Sequence, residues 1–250
     1  MDSGYYAACA GLRARAQALD LMASNLANSQ TSGYRAQSTV FQSLVAAQSS
    51  PTPPPLNRAL NDAVNEFGVL GSSVLDLAPG NFEHTGGNLD LAVEGPGFFA
   101  VQAGAGADVL YTRNGAFRVS AKGQLVTADG NVVLGDQGPL QLPSGSVAIG
   151  PDGTVSVNGA SAGKLRVAEF APGTALRAEG SSYYSAPRGS ARTGTASAVR
   201  QGMLESSNVN AVTAAVALIT VQREAEMLQR ALSLFNNEFQ RIAAQDLPKV

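Results

Sequence analysis

The stretch Asn210-Ala211-Val212-Thr213-Ala214-Ala215-Val216-Ala217-Leu218-Ile219-Thr220-Val221 contains no glycine, no proline and no charge. Through it and beyond it apolar residues recur three and four positions apart: Ala211, Ala214, Leu218, Val221, Ala225, Leu228, Leu232, Phe235, Phe239 and Ile242. That spacing is the seam of a helix that packs on other helices. No helix breaker follows until Pro248, so one helix is expected over 210–245, on the order of 50 Å long at the α-helical rise. Asn208 or Asn210, after Ser206-Ser207, offers an N-cap oxygen to its first turn. Val212, Val216 and Ile219 form a second stripe on the face opposite Leu218 and Val221, whereas the outer positions of the second half carry Arg223, Glu224, Glu226, Gln229 and Arg230.

The other end of the chain mirrors this pattern. Tyr5, Cys9, Leu12, Ala16, Leu19, Ala23 and Leu26 alternate steps of four and three, predicting a helix that ends near Asn28, with Gly33 free to turn just beyond. Ala7, Ala10, Ala14, Ala18 and Leu21 line a further face of it. A helix apolar on several faces must be surrounded. With two such helices and no third of comparable length, the missing neighbours are expected to be other copies of this chain or close relatives. Leu12, Leu19, Asn25, Leu26, Asn28, Val212, Val216, Leu218, Ile219, Val221, Leu228, Leu232 and Phe235 are the candidate assembly residues.

Between the helices the period changes to two. Leu89, Leu91 and Val93, then Val109 and Tyr111, then Phe117 and Val119, then Val155 and Val157 alternate, punctuated by Asn114-Gly115, Asp129-Gly130, Asp152-Gly153 and Asn158-Gly159. Turn signals every 8–15 residues predict a compact antiparallel sandwich or barrel-like body. Residues 48–55, Gln-Ser-Ser-Pro-Thr-Pro-Pro-Pro, read as a stiff extended linker, with a short helix over 56–66, and the Gly/Ser/Thr-rich 189–197 as a second linker. The expected class is α+β: long N- and C-terminal helices forming a coiled-coil-like helical domain, with an inserted all-β antiparallel body. The expected division is 1–47 with 198–250 for polymerisation, 48–65 for the linker and short helix, and 66–197 for the outer body.

The 250 residues carry 17 Lys+Arg against 19 Asp+Glu, and only 14% are charged, well below the roughly 25% of an ordinary soluble protein. No basic footprint for nucleic acid or an anionic membrane follows. One cysteine, Cys9, excludes an internal disulfide, and one histidine, His84, excludes sites that need two imidazoles. Met1-Asp2-Ser3-Gly4 lacks the basic start of a secretory signal, and the apolar run 211–221 is too short to span a membrane. Asp90 and Glu94 stand four residues apart on one side of a strand, roughly 13 Å when extended, which fits neither carboxylate separation of a glycosidase. No enzyme, cofactor, metal or small-molecule substrate is expected. Phe98 and Phe99 should point to opposite faces, and Arg113 reads as an exposed strand arginine.

Several strings carry a family resemblance. Ala23-Ser24-Asn25-Leu26-Ala27-Asn28-Ser29-Gln30-Thr31-Ser32-Gly33-Tyr34 resembles the N-terminal signature of bacterial flagellar rod and hook proteins. Glu94-Gly95-Pro96-Gly97-Phe98-Phe99, Tyr111-Thr112-Arg113-Asn114-Gly115-Ala116-Phe117 and Gly123-Gln124-Leu125-Val126-Thr127-Ala128-Asp129-Gly130 resemble that family's central strings. Gln201-Gly202 with Leu204-Glu205-Ser206-Ser207-Asn208-Val209-Asn210 resembles the opening of its C-terminal helix. The order is the family's order, and the strings span nearly the whole chain.

The resemblance implies a structural subunit of the basal-body rod that crosses the periplasm and transmits torque from motor to hook. It also implies partners among other copies and neighbouring axial proteins, and passage through the flagellar export apparatus without a cleavable signal. Length and the Met1-Asp2 start are most like the proximal rod branch, with the distal rod as the alternative. A different class, a β-rich carbohydrate- or protein-binding module on a helical stalk, stays open at this point.

Overall fold

The computed structural model describes residues 2–42, 69–104 and 108–246, and the side chains of most of these. The expected Pro-rich linker at 48–55 and short helix at 56–66 lie outside the described residues. The chain divides into two compact units: residues 1–26, 37–74 and 211–250 form one, and residues 27–36 with 75–210 form the other.

The first unit holds the helix Asp2–Ala27, the helix Ala211–Asp246, and a two-stranded ribbon of Gln37–Gln42 with Val69–Leu75. The second helix starts at Ala211, which puts Asn210 at its N-cap position. The coiled-coil-like domain expected from the heptads is corrected here. Among the described residues there are two helices, one at each end, and a large antiparallel β body. Among the described side chains, no continuous buried seam runs along either helix. Ala16 and Ala23, seam positions of the first helix, are exposed, while Ala14 and Ala18, from its further face, are buried. On the second helix Ala225 is the buried seam residue among those described. The physical reason is side-chain size: alanine satisfies a 3,4 spacing but has little surface to remove from water, so the spacing alone does not specify a knob. Arg15 and Glu224 join the two helices by an ion pair of 3.1 Å that is about one third exposed on both sides, a contact worth at most about 1 kcal/mol.

The second unit is antiparallel throughout its registered pairings. A ten-stranded sheet has Phe98–Gln102 near its middle, flanked by Val109–Thr112 on one side and Val132–Gly135 on the other. Val147–Ile149, Thr154–Val157 and Ala160–Lys164 make a three-stranded meander. Its second hairpin turns on Asn158-Gly159, both with positive φ, the two-residue turn that favours this dipeptide. Two further pairs tie early strands to late ones: Leu91–Glu94 with Ala198–Gln201, and Phe82–His84 with Met203–Glu205.

Phe98 and Phe99 do take opposite faces. Phe99 meets Phe117 edge-on and belongs to the main core with Leu91, Val101, Leu125, Val133 and Val155. Phe98 meets Tyr184 and Phe170 in a second cluster with Ala100, Tyr111 and Leu134. Asn114-Gly115 is not an open hairpin tip: a Cβ on Gly115 would overlap the carbonyl oxygen of Leu91, so glycine is required by close backbone approach.

Candidate assembly site

Two sets of residues stand out, one in each unit. In the helical unit, Val212, Val216 and Ile219 are 74, 60 and 50% exposed, far more than large aliphatic side chains in a packed helix. Met227 and Leu234 are exposed as well, and the spacing 212, 216, 219, 227, 234 keeps all five within one face at 100° per residue. Arg223 and Arg230 occupy the intervening steps of the same face and are exposed. The sequence reading stopped this stripe at Ile219. The 3,4 steps through Arg223 and Arg230 are the signal that would have carried it to Leu234.

The remaining candidate residues occupy different surroundings. Leu218, Val221, Leu228 and Leu232 are half-buried, as are Leu12, Leu19 and Leu26. Phe235 is placed in the second helix by its backbone alone. Asn25 is buried, and its amide closes a two-way pair with Gln37: Nδ2 donates to the Gln37 carbonyl at 2.8 Å, and the Gln37 N–H donates to Oδ1 at 2.9 Å. Asn28 accepts the Thr31 hydroxyl at 3.1 Å. Both asparagines are thus engaged within their own units.

In the β unit, a buried charge cluster joins three distant strings. Glu205, fully buried, takes the Arg35 Nη2 donor on Oε1 at 2.6 Å and the Arg113 Nη1 donor on Oε2 at 3.3 Å. The Gly80 N–H adds a third bond to Oε1, at 3.0 Å. Arg113 also donates to the carbonyls of Val93 and Gly95 and lies 4.7 Å over the Phe98 ring. Arg113 is therefore not the exposed strand arginine expected from sequence. Burial pushes its guanidinium down to about 10, Glu205 opposing and Arg35 adding to the shift. Two guanidinium groups on one carboxylate leave a net buried positive charge. Arg35 Nε and Nη1 and Arg113 Nε have no acceptor among the described residues. Such a cluster fixes geometry more than it adds stability.

Backbone bonds complete the junction. The Gly33 N–H donates to the Glu205 carbonyl at 2.8 Å and the Asn208 N–H to the Tyr34 carbonyl at 3.4 Å. The Ala36 N–H donates to Asn208 Oδ1 at 2.7 Å. Tyr184, also buried, donates its hydroxyl to the Gly33 carbonyl and accepts the Arg35 N–H at 2.9 Å. Burial pushes this phenol up to about 12. Asn208, expected as a possible N-cap, instead also donates to the carbonyls of Asp76 and Ala78. Arg35 and Glu205 escaped the sequence reading. Their signal was their place directly after one quoted string (Arg35) and inside another (Glu205), in a chain with few charges.

Glu94 is paired with Arg200 at 2.7 Å, Asp90 accepts the Thr85 hydroxyl at 2.6 Å, and His84 sits in an exposed strand. An open groove of about 620 Å³ between Gly135–Gln141 and Ser161–Lys164 carries Asp136 and Lys164. Among the described residues there is no group of three metal-ligating side chains, and no helix is long and apolar enough to cross a membrane.

The described residues give a chain with a helix at each end, an exposed apolar stripe on the second helix and an antiparallel β body between them in sequence. Comparison with known proteins gives the family. The model described as flagella basal body rod protein matches residues 6–35. That of the flagellar hook protein FlgE/F/G D1 domain matches 92–157, and that of the flagellar basal body rod FlgEFG protein C-terminal matches 200–244. Flagellar basal-body rod protein FlgG of Agrobacterium fabrum is 32% identical, over 90% of this chain and 92% of its own. Flagellar basal-body rod protein FlgF of Caulobacter vibrioides is 30% identical over the whole of both chains. FlgF of Escherichia coli is 30% identical over 93% of this chain and 94% of its own. The chain belongs to the flagellar basal-body rod protein family and is a structural subunit of the basal body.

Proposed function

We propose that this chain polymerises through its terminal helices into the rod that carries torque from the flagellar motor to the hook, with the β body outward. The observation that carries the reading is the exposed stripe Val212, Val216, Ile219, Met227 and Leu234, which one copy leaves in water. At about 25 cal/mol per Å² of apolar area, covering such side chains with a neighbouring helix offsets the loss of freedom on association. Other copies and adjacent axial subunits are the partners. The chain travels through the flagellar export apparatus and takes its place across the periplasm. Relatives named FlgF and FlgG stand at 30 and 32% identity, so the proposal covers the proximal and the distal rod alike.

The test is electron microscopy of basal bodies purified from a strain that lacks this chain, with and without plasmid-borne copies of the full chain or of a chain ending at Asn210. Rods that are truncated in the deletion strain and restored by the full chain alone are the expected result. Complete rods in the deletion strain, or rescue by the chain without its C-terminal helix, contradict the reading.

A further inference from the structure

The chain enters the β unit through residues 27–36 and leaves it at Asn210, and these two segments bond directly to each other. Gly33 pairs with Glu205, and Tyr34 and Ala36 with Asn208, so partner numbers rise together and the segments run parallel. Arg35 and Glu205, 170 residues apart in sequence and both fully buried, lock the pair from inside. The Tyr184 hydroxyl pins the Gly33 carbonyl and the Arg35 N–H from the body. A Cβ on Gly33, whose φ is +71°, would overlap the backbone of Arg113 and Asn114, so the entering segment is seated against the strand end beneath it.

From this connectivity we propose that residues 33–36 and 205–208 form a mechanical clamp, which passes tension between the two chain ends directly and shields the strands from 75 to 204. Tension applied at the termini pulls parallel segments in opposite senses. The backbone bonds and the buried ion pair are then loaded together in shear instead of one after another. The antiparallel pairings of the sheet lie inside the closed loop and feel no load until the clamp parts. The proposed rod function supplies the use for such a device. The clamp itself is a property of the single chain, so its failure leaves the assembly reading standing.

Single-molecule pulling of the full chain by its termini tests it. The terminal helices should extend first, at low force. The dominant rupture should then release the whole stretch between the clamped segments, about 580 Å of contour at about 3.4 Å per residue, with no smaller step from the sheet before it. Ruptures of the sheet that precede this event, or a series of short releases in its place, overturn the proposal whatever the variants do.

Glu205→Gln and Arg35→Met should each raise the unfolding rate under terminal load by at least tenfold. Forced unfolding is governed by that rate. When the same variants are pulled between cysteines placed at Lys122 and Ser181, inside the shielded loop, the rate should change less than threefold. Equal acceleration in both pulling directions would mean that the cluster is merely structural and would sink the clamp.

Discussion

Gly33 shows most plainly how a single residue constrains this molecule. It combines a left-handed φ of +71° with a backbone contact on Arg113 and Asn114 that leaves no room for a methyl group. Gly33→Ala is therefore expected to lose about 3 kcal/mol or more of stability in urea unfolding, several times the ordinary cost of a glycine replacement. A change below about 1 kcal/mol would contradict the close approach. Tyr184 gives a second test, through pH. Its folded pKa is raised, so the folded state holds the proton more tightly. Its contribution is complete below about pH 10, the usual phenol value, and is lost as pH rises towards 12. Chemical denaturation between pH 9 and 12 should show a fall in stability, of order 2–3 kcal/mol from this group, that Tyr184→Phe removes. An unchanged slope in the variant would refute that role. Neither residue announced its function in the sequence. Gly33 read as a turn, which it is, but the contact that makes it irreplaceable comes from a strand end about 80 residues away.

At the scale of elements, local chemistry was the most legible. The Asn158-Gly159 dipeptide forms the turn that its tolerance of positive φ favours, and the split of Phe98 and Phe99 follows from the pleat. Pairings between distant strands were not legible, because Leu91–Glu94 with Ala198–Gln201 is set by packing that no local window contains. The helices taught a different lesson. Their 3,4 spacing placed both helices at the ends of the chain, yet it did not tell a buried seam from an exposed stripe, since alanine fits either. The loop 194–197 offers a prediction at this scale. Burial pushes the Glu169 carboxyl up, but the Ser197 hydroxyl and the amides of Ala196, Thr195 and Ser197 outweigh it and hold the group below the usual range. A depressed carboxylate stabilises the fold above about pH 4.5 and loses that contribution as pH falls through its folded pKa. Glu169→Gln should flatten the acid limb of the stability curve between pH 2 and 5. Identical limbs for the two proteins would remove this loop from the account.

For the whole molecule, the central claim is that the two ends hold more apolar helix surface than one copy covers. Part of the alanine surface is covered within the chain, at Ala14, Ala18 and Ala225, whereas the aliphatic stripe from Val212 to Leu234 is not. The family strings, spread over the chain, mark something else as well: three of them meet at Glu205 in the β unit, where charge and backbone fix the segments that lead out to the helices. Association should therefore depend on the stripe and not on the body. Sedimentation velocity of the full chain against a Val216→Glu/Ile219→Glu variant, over a hundredfold range of concentration, reads this directly. The native chain should form larger species as concentration rises while the variant stays monomeric with the same β-sheet circular dichroism. Equal association of the two, or a native chain that remains monomeric with fully formed helices throughout, would contradict the account.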